Sequence, residues 1–123
     1  MKKYFIMLVM LFTMSANLFA EDNNATEIER IERYDVKVNT KKLANYLQLS
    51  SDQFDAVETV TNEFTTDLMF AAVQDGEATR NAVTKNLIDK NVKYMSYILN
   101  KSQMHKYLMV LNATISNRNI NVY

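Results

Sequence analysis

Between Ser51 and Gln74 the large apolar side chains fall at Phe54, Val57, Phe64, Leu68 and Ala71, with Thr61 between Val57 and Phe64. The steps alternate between three and four residues, which puts them all on one face of a helix. This spacing predicts a helix over 51–74, roughly 36 Å long at about 1.5 Å per residue. The same period runs through Val83, Leu87, Ile88, Val92, Met95 and Ile98, predicting a helix over 77–98. It returns in Met104, Tyr107, Leu108, Leu111 and Ile115, predicting another over 101–116. A shorter helix over 41–48 gathers Leu43, Tyr46 and Leu47 on one side and takes Thr40 as its cap. Asp75-Gly76 is the one strong turn signal, because proline is absent and Gly76 is the only glycine. The expected fold class is all-α: a small antiparallel bundle or curved hairpin of three to four helices.

The N-terminal pattern is different. Lys2 and Lys3 precede an unbroken apolar run from Tyr4 to Phe12; small residues follow, and Glu21-Asp22-Asn23-Asn24 turns the chain acidic. That order is the order of a secretory signal, and the run is short of the roughly 20 residues a membrane span needs. Cleavage is expected after Ala20, with Ala16 as the alternative, leaving no membrane span and a periplasmic or secreted protein. With no cysteine in the chain, lipid attachment at a cysteine, disulfides and thiolate chemistry are all excluded. The expected organisation is a signal over 1–20, a flexible or partly ordered segment over 21–38, a helical domain over 39–118 and a tail over 119–123. Within 28–38 two readings stay open, since Ile28, Ile31 and Asp35 suit a helix while Tyr34 to Val38 alternates like a short extended piece. In the tail, Asn-rich and expected to fray from 117 on, Ile120, Val122 and Tyr123 are the side chains able to dock.

Two helix starts match each other. Leu49-Ser50-Ser51-Asp52-Gln53 and Leu99-Asn100-Lys101-Ser102-Gln103 share the form leucine, capping residue, two variable residues, glutamine. Each reads as a capping box: Ser50 or Asn100 accepts from the amide three residues on, and Gln53 or Gln103 reaches back to the cap's own amide. Leu49 is placed to staple onto Phe54 and Leu99 onto Met104. The paired motif resembles the repeated Leu-Thr-x-x-Gln signature of the Spy/CpxP-like exported helical proteins, with Ser50 and Asn100 in place of its threonine. The stretch from Asn91 to Asn100, with Gln103, Lys106 to Leu108 and Leu111 to Thr114, is similar to short exported proteins of Bacteroidota without an assigned activity. The resemblance covers roughly residues 36–118. It implies a curved pair of helical hairpins, often dimeric, that binds unfolded proteins or an envelope stress sensor on a basic concave face.

Charge is balanced over the chain, with 14 basic and 14 acidic side chains, but it is not evenly spread. From Glu21 to Ala78 there are 13 acidic and 5 basic residues; from Thr79 to Tyr123, one acid, Asp89, and 7 basic. Without residues 1–20 the net charge is −2, so the chain makes no electrostatic case for nucleic acid. If the helices on either side of Gly76 fold back on each other, Asp67 comes near Lys85 and Glu63 near Lys90. The competing reading is a basic patch for an acidic or partly unfolded partner. Its candidate residues are Lys85, Lys90 and Lys93 with Tyr94, Tyr97 and Tyr107, an aromatic rim joined by Met95 and Met109 that would grip a peptide or a second subunit.

Sites for chemistry are thin. His105 is the only histidine and stands beside Lys101 and Lys106, so a metal centre would rest on carboxylates almost alone. Asp52/Asp55 and Glu63/Asp67 share helix faces, where a solvated face explains them without acid–base work. One glycine rules out a glycine-rich phosphate loop. The expectation is therefore a non-enzymatic envelope protein without a cofactor, chaperone-like or stress-related and binding an unfolded client or a sensor. The alternative is a structural or regulatory homodimer with no client.

Overall fold

The computed structural model describes residues 12–13 and 25–120, with side chains for 27–120. Five helices are present among them: α1 Ala25–Tyr34, α2 Thr40–Leu47, α3 Ser51–Ala72, α4 Glu77–Ile98 and α5 Lys101–Asn117. The all-α bundle expected from the periodicity is what the chain forms. A ladder of two residues per strand adds β1 Phe12–Thr13 and β2 Lys37–Val38, antiparallel, with Phe12 opposite Val38. Apart from that backbone pairing, the expected signal segment lies outside the described residues, as do Val122 and Tyr123.

Helices α3 and α4 form the central hairpin. Val57, Thr61, Phe64, Leu68 and Ala71 of α3 are all buried, as the spacing requires, and Phe54 is half-buried. Removing a side chain such as Leu68, which has no exposed surface, would cost about 2–5 kcal/mol. The buried line of α4 departs from the apolar pattern. Only Met95 of the expected six is fully buried, while Thr84 and Asn91 are buried in the seam and Val83, Leu87, Ile88, Val92 and Ile98 flank it. Thr84 is accommodated because its hydroxyl donates to the Arg80 carbonyl at 2.7 Å. Gly76, at φ +85°, makes the turn between the two helices.

Several boundaries move from their expected places. The cap of α2 is Asn39, not Thr40: its side chain accepts from the Lys42 amide at 3.0 Å, and asparagine outranks threonine at this position. Segment 28–38 is helix and then strand in succession, so the helix count rises to five. Ile31, Tyr34 and Val36 pack into the core, which gives this stretch more order than a flexible linker. In the tail, residues 117–120 are ordered, with Ile120 docked as the sequence allows. Ile120 is buried, and Arg118 before it is 7% exposed.

Arg118 explains how both ends are held. Its guanidinium donates to the carbonyls of Glu32, Arg33 and Asp35 at 2.6, 3.0 and 3.0 Å. Glu32 and Arg33 lie in the C-terminal turn of α1 and Asp35 just after it, where carbonyls lack the partners of a continuing helix, and the guanidinium adds to the Asp35 amide bond that Glu32 already accepts. Burial pulls the Arg118 pKa down from its ordinary value, against the opposing pull of Asp35 and Glu32. Arg30 of α1 in turn donates to the Ala72 carbonyl at 3.1 Å and caps the end of α3. A helix of 10 residues is marginal in isolation, so these ties and its packing decide whether α1 exists. We predict that Arg118→Ala lowers stability by about 2–3 kcal/mol in urea titration. Arg118→Lys should recover less than half, because an ammonium cannot span three carbonyls as a planar fork does.

Candidate functional site

The two capping boxes are both formed. Ser50 Oγ accepts from the Gln53 amide at 3.2 Å and Gln53 Oε1 accepts from the Ser50 amide at 3.0 Å. In the second box Asn100 Oδ1 accepts from the Gln103 amide at 2.8 Å, and Gln103 Oε1 from the Asn100 amide at 3.0 Å. The sequence does not disclose that the boxes touch. The two glutamine side chains bond to each other reciprocally: Gln53 Nε2 donates to Gln103 Oε1 at 2.8 Å, and Gln103 Nε2 donates to Gln53 Oε1 at 3.2 Å. Gln53 Nε2 also donates to the Ile98 carbonyl at 2.9 Å. Gln103 Nε2 reaches the carbonyls of Leu47 and Gln48 at 3.1 and 3.3 Å. Every donor and acceptor of the two amides is engaged, so this partly buried polar junction is satisfied from within the chain. Leu99 is buried beside it, and Leu49 lines an open groove with Phe54, Lys41 and Asp55.

The candidate partner residues do not form one patch. Tyr107 lies in the core at 2% exposed, its hydroxyl donating to Asn91 Oδ1 across to α4. It belongs to packing rather than to a surface, because that buried acceptor holds its hydroxyl inside. Met95 is buried too and leaves the proposed rim. Lys90 stands in the hairpin seam, its Nζ 3.3 Å from Glu63 and 3.4 Å from Asp67, and 6.0 Å above the Tyr94 ring. The hydrogen bond that Lys90 donates to the Glu63 carboxylate is the leading cause of its raised pKa. The expected Glu63–Lys90 approach is therefore present. The expected Asp67–Lys85 approach is not: Lys85 pairs with Asp89 one turn along α4 at 3.2 Å, and Asp67 goes to Lys90. Each such exposed pair contributes only about 0–1 kcal/mol.

What remains on the surface is Lys93 with Tyr94 and Tyr97, 39% and 72% exposed, and Met109 on α5 at 47%. Lys93 and Tyr97 are one turn apart on the outer side of α4. From Lys90 to the end of the chain there is no acidic residue, so the acidic side chains near this side come from α3, where Glu63 and Asp67 are met by Lys90. The crevice beside it, lined by Phe64, Asp67, Lys90, Asn91 and Tyr94, has a volume of about 10 Å³. That is room for about one water and not for a small-molecule substrate.

Among the described residues no group of three or more histidine, cysteine or acidic side chains is placed to hold a metal. Asp52 and Asp55 are exposed on α3 and His105 on α5, and Glu63 and Asp67 are engaged by Lys90. Among the described residues, too, no helix is long and apolar enough to cross a membrane. No protein-family model matches the chain, and neither a curated protein nor a solved structure matches it.

The burial of Tyr107 yields a pH signature. Burial pushes the Tyr107 hydroxyl far above its ordinary value of 10.0, so ionisation favours the unfolded chain. A pKa raised on folding contributes stability that is complete below the unfolded value and is lost as pH rises above it. Thermal melts should therefore show stability falling above about pH 10, by up to about 1.4 kcal/mol per pH unit from this one group. Tyr107→Phe is expected to cost about 1–3 kcal/mol at neutral pH by leaving Asn91 Oδ1 unpaired. Its deficit relative to the parent should shrink steadily from pH 10 upward.

Proposed function

We propose that this chain is an exported, non-enzymatic helical module of the cell envelope that binds other proteins, acting as a chaperone-like or stress-related factor. The observation that carries the reading is Tyr97, 72% exposed one turn from the exposed Lys93 near the end of α4. A large amphipathic ring held out in water beside Lys93 suits contact with apolar and acidic segments of another protein. Tyr94 and Met109 extend the same chemistry, and methionine adapts readily to varied partners. The doubled capping motif, similar to that of the Spy/CpxP-like proteins, supports the same assignment. Export rests on the N-terminal pattern of charge, apolar run and small residues.

The test is light scattering of a chemically unfolded, acidic client protein during refolding, with and without the chain lacking residues 1–20. Sub-stoichiometric to equimolar protein is expected to delay aggregation, and Tyr97→Ser combined with Lys93→Ser to lose at least half of the delay. Unchanged aggregation kinetics with the parent chain would remove the chaperone-like reading.

A further inference from the structure

The end of the hairpin opposite the capping boxes has its own exposed apolar surface. Phe70 and Val73, three residues apart at the end of α3, are 61% and 59% exposed. Acidic groups surround them: Asp75 and Glu77 in the turn are exposed, and among the described residues no ion pair within 4.0 Å engages either. Glu27 of α1 is brought to this end through Arg30, which lies 3.9 Å from its carboxylate and donates to the Ala72 carbonyl. The nearby cation Arg80 is also turned onto the main chain, donating to the Gln74 carbonyl at 3.1 Å. The tip is thus apolar with an acidic rim.

Its chemical complement is on the same molecule. Lys93 and Tyr97 near the end of α4 and Lys101 at the start of α5, all exposed, give this end an aromatic ring flanked by lysines, with the exposed Asp52 and Asp55 of α3 at the same end. The two surfaces cannot meet within one chain. Glu77 and Tyr97 are twenty residues apart on a continuous helix, about 30 Å at 1.5 Å per residue. Over that distance charges are screened at physiological salt, where the Debye length is about 8 Å. Satisfaction of both therefore needs a second copy.

We propose that the chain associates head to tail: the Phe70–Val73 tip of one copy docks on the Lys93–Tyr97–Lys101 surface of another. Such a contact is heterologous, each copy keeps one free tip and one free surface, and growth continues past the dimer. The inference stands apart from client binding, although it uses an overlapping surface, so assembly would compete with a client for Tyr97.

Sedimentation velocity and equilibrium on the full mature chain test it, across concentration at low and high salt. Weight-average mass should rise with concentration past the dimer without a plateau, and fall when salt is raised. Two charge-exchanged variants sharpen the result: Asp75→Lys with Glu77→Lys, and Lys93→Glu with Lys101→Glu. Each alone should weaken association by at least about tenfold, and an equimolar mixture should regain it, since each then offers the other a complementary surface. Phe70→Ser, at a side chain outside the core, should weaken it similarly with no change in melting temperature. The proposal is overturned by a monomer at every concentration, by a plateau at the dimer, by no recovery in the mixture, or by undiminished association of the Asp75→Lys, Glu77→Lys variant. Aggregation assays of a client read a different quantity, so either reading can fail without the other.

Discussion

The reciprocal amide pair between Gln53 and Gln103 is the constraint on which the rest of the structure depends. Four helix ends meet there. The carbonyls of Leu47 and Gln48 belong to the end of α2, that of Ile98 to the end of α4, and the capped amides of Ser50 and Asn100 to the starts of α3 and α5. Helix ends leave backbone groups without partners, and burying several of them together is costly unless each finds one. Two side-chain amides supply these partners at once, with the near two-fold correspondence that the fifty-residue repeat implies. Once the starts of α3 and α5 are joined, the seam between α3 and α4 has little freedom to slide, and Lys90 falls between Glu63 and Asp67.

Away from the junction, cohesion comes from arginines acting on helix ends. Arg118 closes α1 and Arg30 closes α3, so the first helix is joined to the last turn of the chain and to the hairpin tip. Polar groups are also built into the seam, where Asn91 meets Tyr107 and Thr84 bonds its own helix. Such groups are costly when left unpaired and so discriminate against other registers. The polar junction lies at one end of the hairpin and the acidic, apolar tip at the other, and Tyr94 and Tyr97 stand exposed on α4. These tyrosines are held in place by a helix whose far face is fixed.

The long helices, the turn at Gly76 and both capping boxes were legible in the sequence, because each rests on a local rule of spacing or residue type. The contact between the boxes was not, since nothing within either motif says which group its glutamine amide meets beyond its own cap. The inner face of α4 was only partly legible for a related reason: Thr84 and Asn91 look like surface residues until their hydrogen-bond partners are known. Tyr107 looked like a rim tyrosine on the same grounds, and its acceptor sixteen residues away put it inside. Arg118 gave no signal at all. Its partners are backbone carbonyls more than eighty residues back, and a carbonyl carries no residue identity to read. Lys85 shows the opposite case, where a local partner, Asp89, took precedence over the distant one suggested by antiparallel numbering.

The central claim is that the two helix starts are energetically one unit. A double-mutant cycle on Gln53→Ala and Gln103→Ala, by urea unfolding with each variant's slope checked against the parent, measures this directly. Each single change strands the other amide and several backbone groups, so each should cost about 2–3 kcal/mol, while the double change should cost clearly less than their total, with a coupling above about 1 kcal/mol. Additivity within about 0.5 kcal/mol would show two independent caps that happen to lie side by side, and would contradict the account.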